Sequence, residues 1–160
     1  MGLKHFAVRP AAVVDAAAIS DVIIESTNDF KEVDFEDGGW EVFLEQVRPS
    51  KIAELIRDAQ YYVVVATVNE SIAGMISVKN RTRIYQFFVH PTYAGQGLGR
   101  SLWNVAHDYC LETNRSRIIH VNSSSYAVPI YMRFGFVKTG KAQINSGCIS
   151  VPLEFRADAD

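Results

Sequence analysis

Ile84-Tyr-Gln-Phe-Phe-Val89 runs directly into His90-Pro-Thr-Tyr-Ala-Gly-Gln-Gly-Leu-Gly-Arg100, and the reading of this junction decides the fold. The first run is rich in β-branched and aromatic residues and reads as a strand. After the glycines, Leu98, Leu102, Val105, Ala106 and Tyr109 recur at helical spacing and mark one face of a helix. Gly95, Gly97 and Gly99 therefore stand where a strand turns into a helix N-terminus. Such a place offers unpaired N–H groups and the positive end of a helix dipole, which suits a phosphate. Alternating glycines let the backbone come close to a ligand and adopt positive φ. An ordinary strand-to-helix turn needs only one glycine.

The spacing excludes two familiar phosphate binders. A Walker-type loop closes on Lys-Ser or Lys-Thr, and no such Lys follows these glycines. A G-x-G-x-x-G fingerprint begun at Gly95 needs glycine where Arg100 stands, and begun at Gly97 it needs glycine where Leu102 stands. What remains is a pyrophosphate cradle in the middle of a small domain.

Working outward, His5 to Arg9 reads as a short strand ended by Pro10, and Val13 to Thr27 as a helix burying Ile19, Val22 and Ile23. Asn28 to Val47 resists assignment. Pro49-Ser50 opens a helix that Ser50 can cap, with Ile52, Ala53, Leu55 and Ile56 buried. Tyr61 to Val68 and Ile72 to Val78 form a hairpin about Asn69-Glu70. A turn near Asn80 leads into the Ile84 strand, the glycine loop and a helix to about Thr113. Ile118 to Asn122 is a strand, Tyr126 to Phe134 a short helical run ended by Gly135, and Phe136 to Thr139 and Ile149 to Phe155 are closing strands. The order β-α-α-β-β-β-α-β-α-β-β predicts an α+β (mixed α/β) fold. Its central sheet is twisted, mostly antiparallel, flanked by helices and crossed once by a βαβ unit.

The chain has 160 residues, 48% of them hydrophobic and 21% charged, which fits one globular domain spanning 1–160. A net charge of −2 without any Lys/Arg cluster argues against nucleic acid. Neither a signal-like stretch nor an 18-residue apolar run is visible, so no membrane role is expected. Cys110 and Cys148 lack metal-ligand spacing and read as reduced thiols of a cytoplasmic protein, Cys110 as core filler. Monomer and homodimer are equally open.

With Ala94-Gly-Gln-Gly-Leu-Gly99 at the fourth strand's end and Tyr131-Met-Arg-Phe-Gly-Phe136 after the fifth, the chain resembles the GCN5-related N-acetyltransferases over nearly its whole length. That family's signature is [Arg/Gln]-x-x-Gly-x-[Gly/Ala] at the acetyl-CoA pyrophosphate, and Ala94 departs from it at the first position. Val89-His-Pro91 matches the V-x-P lead-in often seen in the family. The resemblance implies acetyl transfer from acetyl-CoA to the primary amine of a small molecule or protein. It places the pyrophosphate on backbone N–H groups of Gly95, Gln96, Gly97, Leu98, Gly99 and Arg100, with Gln96 or Arg100 as auxiliary side chains. It also implies a splayed strand where main-chain groups of Phe88 and Val89 hold the pantetheine arm and the thioester oxygen.

Tyr131 is the implied general acid at the sulfur, against the simpler reading of a core tyrosine on an amphipathic helix. Asn122, at a strand end, either bonds the cofactor amide or caps the serine turn. Attack requires a neutral amine, and the base candidates are Glu36, Asp37, Glu41, His90 and His120; the sequence does not choose among them. Asp29 to Glu45 holds seven acidic residues and one lysine, either a wall attractive to a cationic amine or a solvated face. Phe30, Phe35, Trp40 and Phe43 either line that wall or pack helices onto the sheet. A non-catalytic acyl-CoA sensor would share the cradle. An unrelated nucleotide-binding domain would instead be stabilised by ATP or NAD.

Overall fold

The computed structural model describes residues 6–158. The chain starts with β1 (Phe6–Pro10) and a short 3-10 turn, Val13–Asp15, that leads into α1 (Ala16–Thr27). The expected strand start at His5 lies outside the described residues. Two short helices follow, α2 (Lys31–Asp34) and α3 (Gly39–Gln46), then α4 (Pro49–Arg57). Next come β2 (Tyr61–Val68), β3 (Ser71–Lys79), β4 (Arg83–Val89), α5 (Leu98–Leu111), β5 (Ile118–Ser123) and α6 (Val128–Arg133). The chain ends in β6 (Val137–Lys138), β7 (Gln143–Asn145) and β8 (Cys148–Arg156).

The sheet runs β1-β2-β3-β4-β5-β8-β6, with β7 hydrogen-bonded to β8. Every pairing is antiparallel except β4 with β5, the one βαβ crossover, made through α5. This is the expected mostly antiparallel α+β sheet flanked by helices.

Both faces of β2 are covered, which is why its sequence is apolar apart from Thr67. Val64, Ala66 and Val68 join a core under α5 and α6, while Val63 and Val65 pack against α1 and α4. On α5 the recurring apolar positions behave as read: Leu98, Leu102 and Ala106 are fully buried, while Val105 and Tyr109 pack at the margin. The hairpin turns Asn69-Glu70 and Asn80-Arg81 have positive φ at both central residues, the primed geometry that follows strand twist.

Three local expectations are corrected, and one strand is new. Arg48, not Ser50, precedes α4; Pro49 takes the first helical position, where its missing N–H costs nothing, and Ser50 falls inside. The helical run after the serine turn begins at Val128 rather than Tyr126. Phe136 lies outside β6. Its N–H bonds Tyr131 O at 3.1 Å while Gly135, at φ +102°, bonds Met132 O at 3.1 Å, so Gly135-Phe136 closes α6 as a Schellman motif. β7 was not anticipated.

Candidate active site

The parallel partners β4 and β5 meet only at Arg83 with His120 and Ile84 with Val121. Beyond these pairs β4 stays on β3 while β5 continues on β8, and the two halves of the sheet part. The backbone of β4 alternates in direction. His90 N–H bonds Ala73 O at 2.7 Å, so residues in phase with it, including Phe88 opposite Met75, give their peptide groups to β3. Val89 and Phe87, out of phase, turn theirs into the gap. Of the two residues expected to hold a pantetheine arm, Val89 therefore has a free main chain and Phe88 does not.

At the wide end of this gap lies the N-terminus of α5. Gly95 and Gly97 sit at φ +75° and +92°, so the alternating glycines meet a real backbone demand. Gly97 caps the helix without any side-chain hydrogen bond, and the first amide to find a helical partner is Ser101, on Gly97 O at 3.1 Å. The N–H groups of Leu98, Gly99 and Arg100 are thus uncapped. A Cβ on Gly99 would reach Phe87 Cζ and Val89 Cγ2 at 3.8 Å, so the helix start and the free stretch of β4 face one another. This is a concave row of donors with a dipole behind it, able to hold a linked pair of phosphates.

The side chains around the row are less available than its backbone. The Leu98 side chain is fully buried, so only its uncapped amide is turned to the row. Gln96 Nε2 donates back to Thr92 O at 3.3 Å, and Arg100 lies 4.7 Å over the Phe134 ring. Ala94 is extended and exposed, with its N–H on Pro91 O at 3.2 Å.

Tyr131 sits on α6 with its ring edge-on to Phe87 at 5.9 Å, beside the same gap. It is only 5% exposed, and burial pushes its hydroxyl well above the usual phenol range. Asn122 stands exposed near the end of β5, opposite Pro152.

The segment after α1 carries an aromatic cluster, a wall beside β4. Phe35 meets Trp40 and Phe43 at 5.3 and 5.1 Å, and Phe43 reaches Phe88 of β4 at 6.4 Å. The wall is tied to the far end of the sheet by a Phe35–Cys148 bridge and by Glu36 N–H on Gly147 O at 2.8 Å. Gly39 packs so closely there that a Cβ would fall 2.2 Å from Gly147 O.

The five base candidates are not brought together. Glu36, Asp37 and Glu41 are exposed on the wall's outer loop and helix. His120 faces Glu154 across β8, Nδ1 to Oε2 3.9 Å, next to Arg156. His90 Nδ1 accepts from Thr92 N–H at 3.1 Å, so Nε2 carries the proton and donates it to Glu25. His90 also borders an open cavity of about 490 Å³ with Asp15, Asp21 and Glu70, against α1 rather than in the gap between β4 and β5.

The sequence reading passed over Asp34. It is the buried acid of the wall, and its Oδ1 accepts from Ser125 N–H at 3.0 Å and from the Ser125 hydroxyl. Only the helical spacing from Phe30 hinted at it. Among the described residues no group of three or more His, Cys, Asp or Glu could hold a metal ion, and no helix is long and apolar enough to cross a membrane. Cys110 is a core thiol, pushed up to about 12 by burial.

A family model described as an acetyltransferase (GNAT) domain matches residues 26–157. No curated protein sequence matches the chain. Among solved structures, a GCN5-related N-acetyltransferase from Rhodopseudomonas palustris superposes with a TM-score of 0.81 at 20% identity, covering 98% of this chain and 99% of that one. The PaiA N-acetyltransferase from Thermoplasma acidophilum, solved with coenzyme A, gives 0.78 at 16% identity, covering 95% and 99%. YncA from Salmonella typhimurium, solved with its cofactor acetyl-CoA, gives 0.74 at 18% identity, covering 98% and 96%. At these identities the likeness establishes the fold.

Proposed function

Because this chain belongs to the GNAT acetyltransferases, we propose that residues 1–160 form one domain that moves an acetyl group from acetyl-CoA to a primary amine by direct attack on the thioester. The observation that carries this reading is the uncapped start of α5 facing the parted strands β4 and β5. Two structures of the same fold were solved with coenzyme A or acetyl-CoA, which supports the choice of ligand.

Acetyl-CoA supplies an activated carbonyl and a thiolate leaving group. The amides of Gly95 to Arg100 would hold the pyrophosphate, and Asn122 would bond the pantetheine. Val89 offers an N–H and a C=O to that arm and a donor for the oxygen that gains charge during attack. As the new C–N bond forms and the C–S bond breaks, the nitrogen gives its proton to solvent water and the sulfur takes the C–S electron pair. Tyr131 meets that charge with its hydroxyl. Burial keeps the phenol protonated, so it serves as a hydrogen-bond donor throughout the neutral range.

Replacing Tyr131 with Phe should lower turnover about 100-fold and leave acetyl-CoA affinity unchanged. Unaltered turnover in the folded variant would remove Tyr131 from the mechanism. The depth of Tyr131 favours one second reading, an acyl-CoA sensor that does no chemistry. Thiol release measured with a panel of amines separates the two, because a sensor leaves the thioester intact.

A further inference from the structure

Asp34 ends α2 and is 4% exposed. Ser125 satisfies its Oδ1 through two donors. Its Oδ2 is closed off and has no hydrogen-bond partner among the described residues. A carboxylate oxygen deprived of both water and donors is costly to keep. A bound cation would supply the missing charge and donors together.

The surroundings fit a cation. Phe30, one turn earlier, stacks at 3.6 Å on Tyr126, the residue after Ser125. Phe35, the next residue, belongs to the aromatic wall that leads to Phe88. The Lys31 ammonium already lies 5.7 Å over the Trp40 ring, so these faces accept a primary ammonium. The Phe30–Tyr126 pair joins the same two segments of the chain as the Asp34–Ser125 contact.

The sign of the interaction decides which cation. A carboxylate beside the reacting nitrogen would hold its proton on and oppose attack. A carboxylate under a different cationic group would fix the acceptor without that penalty. Resting on the acetyltransferase reading, we infer that Asp34 Oδ2 anchors a second, non-reacting ammonium of the acceptor, which makes the acceptor class a diamine.

Calorimetry on the CoA-saturated protein with 1,4-diaminobutane and n-butylamine tests this. The diamine should bind about tenfold more tightly than the monoamine. In Asp34→Asn, which keeps the shape and an acceptor for Ser125, that preference should vanish while the melting point and the heat of CoA binding stay put. Ser125→Ala should retain the preference, since it disturbs the loop contact and not the charge. Equal binding of the two amines to the native protein, no heat with either, a preference that survives in Asp34→Asn, or one lost equally in Ser125→Ala would each overturn the inference. The native comparison decides alone if Asp34→Asn does not fold. Calorimetry needs no turnover: a diamine preference without thiol release would remove the acetyl-transfer reading and leave the anchor, and thiol release without a preference would do the reverse.

Discussion

Gly99 separates folding from binding at one atom. Its φ is ordinary for a side chain and a Cβ there meets nothing nearer than 3.8 Å, so the fold does not require glycine. A branched side chain would nevertheless stand between the start of α5 and β4. Gly99→Val should keep its melting temperature within a few degrees and weaken acetyl-CoA binding at least about tenfold by calorimetry, since it displaces a bound group rather than straining the helix. Asp15 behaves in the opposite way, as a purely structural acid. It accepts two bonds from Arg9, at 2.8 and 3.0 Å, and one from Ala12 N–H at 2.7 Å. The Arg9 guanidinium holds its carboxyl below the ordinary value, against the opposing push of burial. A lowered folded-state value means that the contribution is full above the unfolded-state value and is lost as pH falls through the folded one. Asp15→Asn should cost about 1–2 kcal/mol at neutral pH, discounted for the half-open Arg9. Chemical denaturation should show that the difference shrinks in acid below the usual carboxylate range.

Among the elements, α2 and α3 gain their order from what they touch. Gly39 is the tightest of these contacts, and Gly39→Ala drives a methyl into the Gly147 carbonyl. The variant should lose about 2 kcal/mol or more of stability. Where it folds, acetyl-CoA affinity should persist while the KM for the amine rises, because the proposed function puts the amine against this wall. The same dependence explains what sequence pattern could read. β2 was legible to the residue, since Tyr61 to Val68 is β-branched or aromatic nearly throughout and buried on both faces. α5 was legible from its period, and the bend before it from glycines, two of which take positive φ. β7 was not, because Gln143-Ile-Asn145 is three exposed residues paired with a strand already formed. Asp34 was hidden for a related reason: in sequence it is one acid among seven, and only a contact with Ser125, far along the chain, buries it. Phe88 was mistaken for Val89's equal because the phase of a strand's peptide groups is set by its neighbour.

The whole molecule is two sheet halves that share two residue pairs and a crossover helix. Such a seam opens at lower cost than the strands on either side of it. Amides of Phe87, Val89 and Asn122 should exchange with deuterium faster than those of β2 and β3 in the free protein. Coenzyme A should slow Val89 and Phe87 most, and at a hundredfold excess over its Kd it should add about 2.7 kcal/mol of stability. Equal protection with and without coenzyme A would separate the gap from the ligand. The cradle at α5 has a further consequence for descent. Contacts written in peptide groups are made by any amino acid that tolerates the bend, so drift can replace nearly every surrounding residue without erasing them. Chains that share about a fifth of their residues with this one keep its architecture. Under the proposed function, heritable novelty would then be channelled into the wall beside β4, where identity rather than conformation carries the information.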